Sequence, residues 1–246
     1  IILAGFFIAN ALVAEFVGMK IFAVESTLGF SPLNWNLFGQ TGTLNMSAGV
    51  LLWPVVFVMT DIINEYYGLK GVKMLTYLAI FLIIYAFCMV YLAINLSPNN
   101  WWDSISGIRD VESDSIVSMD LAFRRIFGQG LWIILGSLVA FLIGQVLDVT
   151  VFHRIRKWTG ESKIWLRATG STIISQLIDS FVVLIIAFYI GSDWDLIRVL
   201  AIGCVNFSYK VFMAVILTPI IYLAHNLIDK YLGNESADML KNEAAL

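Results

Sequence analysis

Residues 61–65 place polar side chains at the end of an apolar run of about twenty residues, the length that crosses a membrane. Asp61, Asn64 and Glu65 lie at positions i, i+3 and i+4, so on a helix they share one face. A charged side chain at membrane depth costs roughly 2.5–3.5 kcal/mol on insertion scales. We therefore expect this face to point into the protein or toward water.

Two further stretches repeat the pattern Gln-apolar-apolar-Asp, which puts an amide and a carboxylate one helical turn apart. They are Gln145 with Asp148 and Gln176 with Asp179. Together with residues 61–65, three predicted helices each carry an amide and at least one carboxylate. We expect them to converge on one buried polar site.

The last apolar run contributes Asn206 and Lys210, again one turn apart. Lys210 is interpreted as the cation buried in an apolar run, so it needs a carboxylate partner. The sequence offers four candidates and does not choose between them: Asp179, Asp61, Glu65 and Glu15.

Composition indicates an all-α integral membrane protein that forms a single bundle. Of 246 residues 59% are hydrophobic and 13% charged, with a mean hydropathy of +0.84, whereas soluble domains have roughly 45–50% apolar and 25% charged residues. Apolar runs predict six transmembrane helices near residues 1–23, 46–66, 72–96, 127–152, 169–190 and 196–223. We expect a transmembrane domain over 1–225 and a polar cytoplasmic tail over 226–246. Pro54 is expected to kink the second helix, and His153 and His225 to lie at helix ends facing the interface.

The distribution of Lys and Arg predicts the orientation. An even number of helices puts both termini on one side, and that side would hold nine Lys and Arg residues against five on the other. The positive-inside rule then predicts cytoplasmic termini in a bacterial inner membrane. The acidic segment 97–120 would be an external loop. Residues 24–45, with alternating polar and apolar positions at 33–38, predict either a short hairpin or a surface cap, with an ordinary loop favoured over a lid.

Several function classes find no support in the sequence. A net charge of −3 gives no reason to expect a nucleic-acid partner. There is no His-Glu-x-x-His, Gly-x-Ser-x-Gly or Walker A sequence, so we expect no enzyme activity, metal or cofactor. Cys88 and Cys204 lie in apolar runs and are interpreted as small packing side chains.

Amides and carboxylates suit a flat heterocycle with several N–H donors. A carboxylate accepts two hydrogen bonds from a guanine-like edge, and an amide both donates to a carbonyl and accepts from a ring N–H. An amine or a cation would suit the same groups. Buried polar pairs can also simply join helices, at about 0.6 kcal/mol per interhelical hydrogen bond.

The motifs also resemble a known family. The resemblance is carried by residues 60–68, Thr-Asp-Ile-Ile-Asn-Glu-Tyr-Tyr-Gly, followed by Gln145-x-x-Asp148-x-x-x-Phe152, Gln176-x-x-Asp179, Lys210 and Thr218-Pro219. These motifs are similar to the queuosine-precursor transporter family, also called the vitamin uptake transporter family. The resemblance implies six helices and import of a 7-deazaguanine, most often 7-cyano-7-deazaguanine, without an ATPase domain on this chain. The segment 97–120 is longer than the resemblance leads us to expect.

The expected substrate-binding residues are Asp61, Asn64, Glu65, Gln145, Asp148, Gln176, Asp179, Asn206 and Lys210. The expected partners are a deazaguanine and the lipid bilayer. A coupling proton or sodium ion and a homo-oligomeric state stay open. The alternatives are a substrate-binding subunit of a multi-component ATP-driven vitamin importer, and a non-transporting membrane scaffold or intramembrane enzyme.

Overall fold

The protein is predominantly helical. The computed structural model describes residues 2–102, 109, 118–128, 131–160 and 163–244. The helices are α1 Ile2–Val17, α2 Val24–Leu28, α3 Trp53–Ile94, α4 Met119–Phe127, α5 Leu131–Thr159, α6 Ile164–Leu184, α7 Leu196–Leu232 and α8 Asn234–Ala244. A 3₁₀ helix, Ala48–Leu51, precedes α3, and a π-helical segment, Ile185–Ile190, continues α6. The short strands are β1 Ile21–Ala23, β2 Trp35–Leu37, β3 Gln40–Gly42 and β4 Asn45–Ser47.

Four helical stretches of the described chain are long and apolar enough to cross a membrane. They are Trp53–Ile94, Met119–Thr159, Ile164–Ile190 and Leu196–Leu232, and α1 is a shorter apolar helix. Their apolar side chains are largely exposed on the outside of the protein, with Tyr77, Phe81 and Tyr91 on α3 as examples. Exposed apolar faces on long helices suit a lipid surround.

Gly68 breaks α3 into two arms. Its backbone angles, φ 65° and ψ −170°, lie in a region that is essentially restricted to glycine. In a straight helix Thr60 and Thr76 would lie about 24 Å apart. Gln145 nevertheless contacts Thr60 at 3.3 Å and lines a small cavity together with Thr76. The two arms therefore fold back on the same neighbouring helix, α5.

Two hairpin-like pairings organise residues 21–47. β1 pairs with β4 in antiparallel register, and β2 pairs with β3, with a tight turn at Phe38 and Gly39. The Glu25 carboxylate ties the two together, because its Oε1 accepts from the backbone N–H of Leu44 at 2.7 Å and of Leu33 at 3.4 Å. The hydrogen bond from Leu44 lowers the pKa of Glu25 below its ordinary value, so the carboxylate stays charged and the tie is lost only in acid. Of the hairpin and the surface cap that the sequence allowed for residues 24–45, the pairing of β2 with β3 corresponds to the hairpin.

The C-terminal helix α8 packs onto the end of the bundle. Ala237 is fully buried against Ile62 and Tyr66 of α3. The Lys241 ammonium donates to Asp229 of α7 at 2.8 Å, and Arg156 of α5 donates to the Lys241 carbonyl at 2.8 Å. Residues after 225 thus continue α7 to Leu232 and then form a docked helix.

Several predicted boundaries are wrong for local reasons. α1 ends at Val17, short of residue 23, because Ile21–Ala23 pairs with β4 as a strand. α3 begins at Trp53 rather than at residue 46, so Pro54 sits in the first helical turn. Proline lacks an N–H that the first turn does not use, so it causes no kink there.

Other corrections concern the later helices. α5 extends to Thr159 and α6 begins at Ile164, ahead of the predicted residue 169. His153 and His225 both lie within helices and contact other side chains, so their predicted location at helix ends is wrong. Most of the acidic segment 97–120 lies outside the described residues.

The break at Gly68 gives the first testable prediction. Gly68→Ala should cost about 1–3 kcal/mol of stability from backbone strain alone. The added Cβ would also lie 2.8 Å from the Ala244 carbonyl oxygen of α8. Gly5→Ala is the matched control, because its Cβ meets no atom within 4 Å. Thermal unfolding of the purified proteins in detergent measures both, and equal melting temperatures would contradict the role given to Gly68.

Candidate functional site

A buried ion cluster joins α3, α5 and α6. Arg167 of α6 is 0% exposed and its Nη2 donates to Glu65 Oε1 at 2.5 Å. Arg156 Nη2 of α5 lies 4.0 Å from the same oxygen. The Arg167 guanidinium also donates to the Gly160 carbonyl at 2.9 Å and stands over the Phe152 ring. Glu65 is therefore neutralised by cations from two other helices, which is what burial of a charge requires.

Asn64 and Tyr66 connect this cluster to its surroundings. The Asn64 side-chain oxygen lies 2.9 Å from His153 Nε2 on α5. The Tyr66 hydroxyl donates to Asp229 at 2.6 Å, and its ring stacks on that of His225. Since Asp229 is also bound by Lys241, the cluster is continuous with the contacts that hold α8.

A second group of polar contacts lies beside Glu65. The Thr60 hydroxyl lies 3.3 Å from the Gln145 side-chain oxygen. One turn further along α5, Asp148 Oδ1 accepts at 3.4 Å from the hydroxyls of Thr172 and Ser175 on α6. The charge of Asp61 interacts with those of both Asp148 and Glu65, so the three carboxylates share one interior region.

Three of the predicted site residues hold buried polar atoms that have no hydrogen-bond partner among the described residues. They are Asp61 Oδ1, Asn64 Nδ2 and Gln176 Oε1, in side chains that are at most 3% exposed. A buried polar atom left unpaired costs about 1–3 kcal/mol, which makes these atoms candidates for ligand contacts.

Asp179 lies in a different group of contacts. It forms an ion pair with Lys210 of α7, and it interacts electrostatically with Glu15 of α1. Glu15 in turn accepts from the Ser137 hydroxyl of α5 at 2.6 Å. Of the four carboxylates that the sequence offered to Lys210, the structure selects Asp179.

Eight of the nine predicted residues thus fall into two groups. The carboxylate centre contains Asp61, Asn64, Glu65, Gln145 and Asp148, which the contacts above bring together. The Lys210 pair contains Asp179 and Lys210, with Asn206 one turn before Lys210 on α7. Gln176 lies one turn before Asp179 on α6, next to Ser175, which contacts Asp148. α6 therefore links the two groups.

Three important residues were missed from the sequence. Arg156, Arg167 and His153 were not among the expected substrate-binding residues, yet Arg156 and Arg167 are buried and His153 contacts Asn64. A signal was present for Arg167, because the apolar residues on either side of it extend the helical pattern back to Ile164. No comparable pattern distinguished Arg156 from the exposed Arg154 and Lys157.

The two ion pairs differ in burial, and this predicts a ranking. Arg167→Met should cost about 3–5 kcal/mol because it leaves Glu65 buried with one cation fewer. Lys210→Met should cost less, because its pair is 22% and 20% exposed, against 0% and 1% for Arg167 and Glu65. Denaturant or thermal unfolding in detergent gives the order, and Glu65→Gln combined with Arg167→Met should recover much of the loss. A larger effect at Lys210 would contradict the ranking.

Comparison with known proteins bears on the same residues. A family model described as "Putative vitamin uptake transporter" matches residues 47–224, more than half of the chain. The matched stretch contains every predicted site residue. No solved structure matches.

Three similar proteins support the same family. A Bacillus subtilis protein named "Probable queuosine precursor transporter" is 31% identical over 78% of this chain and 75% of its own. The Escherichia coli "Queuosine precursor transporter" is 23% identical over 76% of each chain. A Haemophilus influenzae relative, also named "Probable queuosine precursor transporter", is 25% identical over 69% of this chain and 63% of its own. The resemblance drawn from the motifs is therefore confirmed: the chain belongs to the vitamin uptake transporter family and is a multi-pass bacterial membrane transporter, not an enzyme.

Proposed function

We propose that this protein imports a queuosine precursor, a 7-deazaguanine such as 7-cyano-7-deazaguanine. The observation that carries the proposal is the set of unpaired buried atoms on Asp61, Asn64 and Gln176. The names of the relatives supply the substrate class, and the chemistry of these three side chains fits it.

Asp61 is the carboxylate best suited to receive the substrate. Glu65 is bound by Arg167, Asp148 by two hydroxyls, and Asp179 by Lys210. Asp61 Oδ1 has no partner in the described part of the chain, so it can accept from the N1–H and 2-amino donors of a guanine-like edge. The Asn64 and Gln176 amides offer one donor or acceptor each for the carbonyl and ring nitrogens.

The Lys210 pair is proposed to serve ion coupling. Glu15 and Asp179 are two interacting carboxylates, and the one ammonium group there, Lys210, pairs with Asp179, so the group carries an excess negative charge unless a cation joins it. A proton or a sodium ion would balance this charge inside an apolar bundle. Because the two roles are assigned to different carboxylates, Asp179 and Asp61, binding of the coupling ion and of the substrate can be separated by mutation.

The proposed topology has six crossings and cytoplasmic termini. The crossings are α1, the two arms of α3, α5, α6 with its π-helical continuation, and α7. The break at Gly68 supports counting α3 twice, and the excess of Lys and Arg near α5, α6 and α8 supports the orientation.

Binding and accumulation should respond differently to two conservative substitutions. Asp61→Asn removes the free acceptor charge and should lower the affinity for 7-cyano-7-deazaguanine at least tenfold, in line with about 1.5–3 kcal/mol for a charged hydrogen bond. Asp179→Asn should leave binding near wild type and abolish ion-driven accumulation. Calorimetric titration of the purified protein measures the first, and uptake into proteoliposomes under a proton or sodium gradient measures the second.

The exposed carboxylate of Asp238 on α8 provides the control, and Asp238→Asn should change neither quantity. Accumulation by wild-type proteoliposomes free of any ATPase would also exclude a subunit of an ATP-driven importer. If Asp61→Asn binds as tightly as wild type, the proposed substrate contact is wrong. If Asp179→Asn still accumulates substrate under the gradient, the coupling role is wrong.

A further inference from the structure

A groove of about 430 Å³ opens on the outside of the protein between the break in α3 and the last turns of α5. Its lining residues are Leu69, Thr150, His153, Arg154, Lys157 and Trp158. The five residues on α5 lie at i, i+3, i+4, i+7 and i+8, so they form one stripe of the helix. Volumes of roughly 300–1,000 Å³ are typical of sites for small organic groups.

The charge of the groove favours an anion. Arg154 and Lys157 are exposed and form no ion pair with any carboxylate in the described residues. Trp158 is 80% exposed at the end of an apolar helix, which is the usual position of tryptophan at a membrane–water boundary. Leu69 supplies an apolar wall. Two cations, an indole and an apolar wall at a helix end match a phospholipid headgroup together with the start of its acyl chain.

We propose that this groove binds the phosphate headgroup of an anionic phospholipid. Arg154 and Lys157 contact the phosphate, and Trp158 lies against the glycerol region. The inference does not depend on which substrate the protein transports. It adds a lipid site whose lining does not include Asp61.

The groove also has a structural connection to the carboxylate centre. His153 lines the groove and lies 2.9 Å from the Asn64 side chain. A bound headgroup next to His153 would therefore restrain the side chain that fixes Asn64. This predicts that anionic lipid supports transport and not only stability.

Native mass spectrometry of the purified full-length protein tests the site. The probes are dioleoyl phosphatidylglycerol, dioleoyl phosphatidylcholine and inorganic phosphate. Wild type should prefer phosphatidylglycerol, and Arg154→Gln combined with Lys157→Gln should lower that affinity about 25-fold, at roughly fivefold for each cation. Trp158→Ala should weaken binding of phosphatidylglycerol without changing the net charge.

The matched control removes two exposed lysines elsewhere, Lys163→Gln with Lys230→Gln, and should keep wild-type affinity. Equal losses in the two double variants would overturn the proposal, because general surface charge would then explain binding. Displacement of the lipid by inorganic phosphate alone would show a soluble-anion site and overturn the lipid assignment. Displacement by 7-cyano-7-deazaguanine would assign the groove to the transport path and would equally overturn it. A melting temperature close to wild type confirms that each variant is folded.

Discussion

A carboxylate inside an apolar bundle has to be matched by a cation, a hydrogen-bond donor or a proton, and this constraint governs the interior of the protein. Glu65 is matched by Arg167 and Arg156, Asp148 by Thr172 and Ser175, and Asp179 by Lys210. Each matching group lies on another helix than the carboxylate it contacts, so satisfying the charges also fixes how the helices pack. Asp61 keeps one oxygen without a partner in the described chain, and the proposed function depends on that oxygen.

The backbone conformation of Gly68 allows the helices to take up this packing. The break at Gly68 lets both arms of α3 contact α5, and it leaves room for the end of α8 against the turn. α8 then binds Asp229 and receives the Arg156 guanidinium on its Lys241 carbonyl. The C-terminal helix is therefore part of the same network as Glu65, although its own surface is mostly polar.

The apolar periodicity of the sequence predicted the helices, their approximate order and the clustering of Asp61, Asn64 and Glu65 on one face. The position of Lys210 in an apolar run also predicted a carboxylate partner. The sequence offered four candidates, and only the fold selects Asp179. Arg167 can be recognised as buried only if α6 is extended back to Ile164, ahead of its predicted start at residue 169. The kink predicted at Pro54 is wrong because residues 45–47 pair as a strand. The helix that follows therefore begins at Trp53, and Pro54 lies in its first turn. Docking of α8 depends on tertiary contacts, and the polar sequence of this segment has no apolar pattern from which that packing could be predicted.

The most direct measurement is a thermodynamic cycle between Asp61 and the 2-amino group of the ligand. Wild type and Asp61→Ala are each titrated with 7-cyano-7-deazaguanine and with its analogue lacking the 2-amino group. If Asp61 accepts from that group, removing it should cost wild type about 1.5–3 kcal/mol and cost the variant close to nothing. An equal penalty in both proteins would show that another residue reads this edge and would contradict the central claim.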